Sequence, residues 1–271
     1  MKTTKVILYS IFLLVSNLLY SQDRLFTYTY QTTTLPKGVK DLEVWNTYRT
    51  GRENFFHRLD QRMEFEVGVT DNLQTAVYVN ASNKATGVKV NDSTMILTKS
   101  SSLSFSNEWK YKISDPVASP IGFGIYGEIG LAAHEIEWEA KLLFDKKFGN
   151  NLWAFNIVGE YEIEYGAEGA KIEGETEKVL EFDMGFIHLF NSSFGLGIEA
   201  RNHNEFVEKD GWEHSPLFAG PVMSFSGDKY FINFTLLPQL INFHKHEGET
   251  SNLDLTEHEK LEMRMLIGFS F

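Results

Sequence analysis

Glutamates at every second position mark this chain: Glu135, Glu137 and Glu139, then Glu160, Glu162 and Glu164. Side chains alternate in direction along an extended strand, so each triplet lies on one face. A face of carboxylates attracts cations. Acids without matching bases need water, cations or raised pKa values. The only base on the polar face of strands five to eight of the reading below is Lys141. Carboxylates such as Glu137 and Glu139 also meet the spacing of a glycoside-hydrolysing pair. Their abundance makes that match uninformative.

Histidine suggests a second chemistry. His244, His246 and Glu247 precede one polar stretch, and Glu257, His258 and Glu259 follow it. The i, i+2 pair shares a strand face, and a neighbouring strand can add His258 as a third ligand to a divalent metal. A solvated loop rim explains the same residues, and that reading is preferred. His203 and Ser224 are the pair a membrane lipase would need on neighbouring strands. Neither stands in a recognisable motif, so no enzyme is expected. No cofactor motif is present.

Strands must position these groups. The last eleven residues show the pattern best: Leu261, Met263, Met265, Ile267, Phe269 and Phe271 alternate with Glu262, Arg264, Leu266, Gly268 and Ser270. The period of two recurs upstream and predicts twelve strands near 40–49, 55–70, 73–82, 101–113, 121–132, 135–146, 152–165, 177–190, 193–205, 215–226, 229–243 and 257–271. Short turns alternate with longer polar loops near 83–94, 166–176, 204–214 and 244–256. That asymmetry, an even strand count and aromatics at run ends (Trp109, Tyr111, Trp153, Tyr165, Tyr230, Phe271) fit an outer-membrane barrel. A soluble barrel with an apolar lumen would show the same alternation, but twelve strands exceed the lipocalin plan.

The chain opens with Lys2 and Lys5, an apolar run from Val6 to Leu19 and a small residue at Ser21. Residues 1–21 read as a cleaved signal peptide. No later run reaches the roughly 20 apolar residues of a membrane helix. Cysteine is absent, which excludes disulfides and a lipoprotein anchor. Loss of Lys2 and Lys5 takes the formal net charge from −12 to −14, unsuited to nucleic acid. Residues 22–39 are left over, with Leu25-Phe-Thr-Tyr-Thr-Tyr30 and Leu35-Pro-Lys-Gly38. They form either a periplasmic lead-in or a segment folded into the lumen. Residues 40–271 form the barrel.

Several stretches resemble a known group: Leu35-Pro-Lys-Gly38, Glu66-Val-Gly-Val-Thr-Asp-Asn-Leu73, Glu108-Trp-Lys-Tyr111 before Asp115-Pro116, Ile125-Tyr-Gly-Glu128, and Glu137-Trp-Glu-Ala-Lys141 before Lys146-Lys-Phe-Gly149. The chain is similar over residues 24–271 to uncharacterised outer-membrane barrels of Bacteroidota and Proteobacteria. These are distant relatives of the phenol meta-pathway transporter-like barrels. The resemblance implies an outer-membrane barrel, sometimes labelled a transporter. It brings no catalytic or ligand residues.

The expected fold is therefore all-β: a single transmembrane antiparallel up-and-down barrel of about twelve strands, in contact with outer-membrane lipid. Inward positions are Arg58, Arg62 and Glu64; Glu128; Glu135, Glu137, Glu139 and Lys141; Glu160, Glu162 and Glu164; Glu181 and Asp183; Glu199 and Arg201; and Glu262 and Arg264. In one reading these line a wet, cation-favouring channel for small solutes. In the other, acids and bases pair across strands and seal a narrow barrel. The acid surplus of strands five to eight favours the wet lumen. A non-conducting barrel that binds a partner or metal through its loops is the alternative.

Overall fold

The computed structural model describes residues 24–91, 94–168, 171–208, 211–245 and 251–271. The expected signal peptide lies outside them, as does His246.

Among the described residues thirteen strands follow one another: β1 Lys40–Thr50, β2 Phe56–Thr70, β3 Leu73–Asn91, β4 Thr94–Ser114, β5 Gly122–Ala132, β6 Glu135–Phe148, β7 Asn151–Glu168, β8 Lys171–Asn191, β9 Phe194–Val207, β10 Gly211–His214, β11 Pro216–Ser226, β12 Tyr230–Asn242 and β13 Leu261–Ser270. Twelve of them form a closed antiparallel barrel; β10 is a four-residue rim strand paired only with the end of β9. The closing strand meets the first in register from Asp41↔Ser270 to Thr50↔Leu261. Closure leaves no edge of unpaired backbone, which hydrocarbon would not tolerate.

The wall is inverted relative to a soluble protein. Met63, Phe105, Trp109, Ile198, Met223 and Phe269 are exposed on the outer face. Their strand neighbours Glu64, Ser106, Glu108, Glu199, Ser224 and Gly268 point inward. A continuous apolar belt of this kind needs lipid around it. The polar face is therefore the inner one because the outer face must dissolve in hydrocarbon.

Two hairpins run further than the alternation indicates. Residues 83–94 and 166–176 read as loops, yet β3 and β4 stay paired to Asn91↔Thr94, and β7 and β8 to Glu168↔Lys171. Beyond the membrane both faces of a hairpin meet water, so the apolar period vanishes while the hydrogen-bond ladder persists. At the other end of the last loop, β13 starts at Leu261 rather than near 257.

Candidate functional site

The lumen is occupied by the chain's own N-terminal segment. Residues 24–35 are buried almost throughout, and only Thr33 is partly exposed. This segment forms no strand, so its backbone N–H groups have no ladder partner and need acceptors. Inward side chains supply them. Glu199 accepts from Tyr28 N at 2.8 Å and Thr29 N at 2.7 Å, and more loosely from Thr27 N at 3.3 Å. Asn156 clasps Tyr30 from both sides, accepting from its N–H at 2.6 Å and donating to its carbonyl at 2.9 Å. Asp145 accepts from Thr32 N at 3.0 Å, and Gln74 Oε1 from Leu35 N at 2.9 Å. Asn233 and Arg264 donate to the carbonyls of Arg24 and Thr27. The wall thus does with side chains what a thirteenth strand would do with backbone.

Side chains of the segment fill the remaining space. Phe26 packs against Leu152, Ala154, Ile187 and Val222. It lies so close to β8 that a Cβ on Gly185 would sit 2.6 Å from its ring. Where the chain leaves the lumen, a Cβ on Gly68 would sit 2.1 Å from the Pro36 carbonyl oxygen. Tyr28 packs on Phe218 and Leu237. Tyr30 meets Tyr126 edge-on, with ring centroids 5.2 Å apart.

Cations tie the segment to the acidic wall. Arg24 lies 3.4 Å from both Glu43 and Glu66 and stacks 4.0 Å from the Tyr30 ring centre. Arg264 stacks 3.6 Å over Tyr28, and Lys141 sits 3.1 Å from Glu139 beside Tyr30. Glu262 gathers the Tyr28 hydroxyl at 2.7 Å, Arg201 at 2.9 Å and Arg49 at 3.4 Å. Arg201 also reaches Glu181 at 2.7 Å, which in turn meets His203 Nδ1 at 2.7 Å. On β2, Arg58 pairs with Asp60 at 2.6 Å and Arg62 donates to Asn80 at 2.8 Å. Glu64 and Asp183 are buried on the same inner surface.

Further from the segment, toward the long-loop end, the wall is an acid ladder. Glu135 stands opposite Glu164, Glu137 opposite Glu162, and Glu139 opposite both Glu160 and Glu128. Like charges facing each other across a sheet destabilise it. Here Glu135, Glu137 and Glu162 keep partial access to solvent, which lowers that repulsion. The inner surface is therefore two-part: an acid-rich vestibule at the long-loop end and a packed segment toward the chain termini.

Sequence reasoning found Glu199, Glu262 and Arg264 but missed Asn156, Asp145, Gln74, Asn233, Tyr28, Tyr30 and Arg24, which hold the segment with them. A signal existed. Beside Asn156 and Asp183, the inward register near the start of β7 and the end of β8 carries Leu152, Ala154, Val158, Gly185 and Ile187. Small and apolar residues facing a lumen call for an apolar occupant.

Of the expected metal trio His244, His246 and His258, His246 lies outside the described residues. Among the described residues, the histidine-containing cluster with donor atoms within 4.8 Å of one another is His214, Asp254 and His258. His244 instead lies against the Trp212 ring, with centroids 4.7 Å apart. The reason is the β10 excursion, which carries His214 over the rim to meet the loop before β13. Asp254 Oδ2 is 2.6 Å from His214 Nδ1. Burial opposes ionisation of Asp254, but the hydrogen bonds from His214 and Thr256 and the charges of His258 and His214 together hold the carboxyl well below its usual range. Burial likewise opposes protonation of His214, and Asp254 with the nearby Glu205 and Glu213 together raise the imidazole. Burial lowers His258. The lipase-like pair does not form: Ser224 stands opposite Gly195, eight residues along β9 from His203, about 26 Å at strand rise.

The model of a family of unknown function, DUF6662, matches residues 19–271. The chain belongs to this family. No curated protein matches the sequence. Among solved structures, an outer-membrane channel from Pseudomonas putida F1 superposes with a TM-score of 0.61 at 10% identity, covering 89% of this chain and 98% of that one. The translocator domain of the autotransporter NalP from Neisseria meningitidis gives 0.57 at 10% identity, covering 88% and 90%. The β domain of the Bordetella autotransporter BrkA gives 0.55 at 8%, covering 87% and 100%. At such identities the likeness is one of fold: the outer-membrane type of β-barrel.

Proposed function

We propose that this protein, exported behind a cleaved signal peptide, is an outer-membrane channel for small polar or cationic solutes. Its resting state is closed by residues 24–36. The observation that carries the reading is the pairing of an acid ladder with a lumen segment held by side-chain hydrogen bonds. Those bonds are exchangeable with water one by one, unlike a strand ladder, so the segment can leave without unfolding the barrel. The vestibule carboxylates then supply the field that concentrates cations at the entrance. Solved channels of the same fold support passage of solutes as the general activity. The basic groups around Tyr28 and Tyr30 neutralise acids where the segment docks and reach the ladder at Glu139, through Lys141, which leaves Glu135, Glu137 and Glu162 to keep the vestibule acidic in either state.

Planar-bilayer recording of the mature chain against a variant lacking residues 24–36 tests this. The full chain is expected to show rare, small openings, and the variant a steady conductance with a cation-favouring reversal potential. A folded variant that stays silent removes the channel and leaves a barrel that binds a partner through its loops. A reversal potential favouring anions overturns the acidic lumen.

A further inference from the structure

At the rim opposite the chain termini, three elements distant in sequence converge. The β10 strand brings His214, the loop between β12 and β13 brings Asp254 and His258, and the upper end of β9 brings Glu205. We propose that His214, Asp254 and His258, with Glu205 as a fourth donor, form a binding site for a divalent transition metal of the zinc type. The metal would clamp the β9–β11 excursion to the β12–β13 loop over the mouth of the barrel.

The donor set is the first support. Two imidazoles with one or two carboxylates suit zinc and its neighbours, whereas calcium and magnesium take oxygen ligands alone. The geometry is the second. The three donors lie within 4.8 Å of one another. Glu205 Oε2 lies 3.6 Å from His258 Nε2. The imidazole rings of His214 and His258 are 5.2 Å apart, nearly perpendicular. Tetrahedral bonds of about 2.0–2.1 Å place donors roughly 3.3 Å from each other, so closure needs only side-chain rotation.

A third observation is an unmet need. His258 Nε2 is buried without a hydrogen bond of normal length, its facing acceptor Glu205 Oε2 standing off at 3.6 Å. A metal ion between the two groups would bring both into bonding distance. The fourth is an orienting shell. Asp254 Oδ1 accepts from the Thr256 hydroxyl at 2.9 Å and from the N–H groups of Thr256 and Glu257, which leaves Oδ2 directed at the cluster. Ligating carboxylates are commonly steadied in this way. The inference does not depend on conduction.

Calorimetric titration of zinc sulfate into the chelator-treated, folded full chain in detergent is the test. Saturable one-to-one binding is expected. His214→Ala, Asp254→Asn and His258→Ala should each weaken it by roughly tenfold or more. His244→Ala should leave it unchanged. Folding of each variant is checked by the heat-dependent gel shift of the barrel, and His258→Gln replaces His258→Ala if the latter does not fold. Unsaturable binding, full affinity in the three variants, loss of affinity in His244→Ala, or equal affinity for calcium would each overturn the proposal.

Discussion

Glu199→Ala should release the lumen segment while sparing the barrel. Glu199 accepts close hydrogen bonds from Tyr28 N and Thr29 N, a longer one from Thr27 N, and one from the Thr235 hydroxyl at 2.8 Å. Alanine leaves the two well-bonded N–H groups buried and unpaired, at about 1–3 kcal/mol each. Water entering the vacated space recovers part of this, so a net loss of about 3 kcal/mol in docking is expected. At 1.4 kcal/mol per tenfold, the docked-to-undocked ratio falls on the order of a hundredfold. The barrel itself should keep its thermal gel-shift midpoint, because residue 199 pairs with its neighbouring strands through backbone atoms. Two assays read the change: open probability in planar bilayers, and labelling of a cysteine placed at Thr29 by a membrane-impermeant maleimide. Both should rise together. A variant that folds, labels no faster and opens no more often would refute the role assigned to Glu199 and to the segment's hydrogen bonds.

Gly185→Val puts a side chain into the Phe26 ring, so it should mimic Glu199→Ala in the labelling assay; adding Phe26→Ala should restore slow labelling by vacating the collision. Tyr28→Phe loses the hydrogen bond to Glu262 and should weaken docking by about 1.5 kcal/mol, the low end for bonds to a charged group, because Arg201 and Arg49 still neutralise that carboxylate. A doubled or tripled effect in the same labelling assay would show that the hydroxyl does more than this. Replacing the facing pair Glu137 and Glu162 by glutamine should raise barrel stability by about 0.2–1 kcal/mol in urea unfolding. In the open variant the same change should lower the cation preference of the reversal potential, and an unchanged preference would place the selective field elsewhere.

The outer face was legible residue by residue, because lipid solvation demands apolar side chains at one parity and the strand period supplies it. From Leu261 to Phe271 that demand is met without exception, and the structure places the odd residues outward. The hairpins of β3–β4 and β7–β8 were legible only in part, since the selection for apolar residues ends where the membrane does. The inner face was harder. Parity places Glu199 and Asn156 in the lumen, but parity carries no information on what they touch across it. Their partners, Tyr28 and Tyr30, lie in a stretch whose backbone bonds run to side chains and therefore leave no periodic trace.

The rim shows the same limit. His258 stood out by its residue type, but its partner His214 lies 44 positions earlier, and His244, nearer in sequence, turns to Trp212 instead. What the sequence determined alone was the barrel, through a period of two set against hydrocarbon. What only the tertiary structure decided was the content of its lumen and the grouping at its mouth. Both depend on which staves become neighbours when the sheet closes, and on a segment held by side-chain contacts that no local pattern encodes.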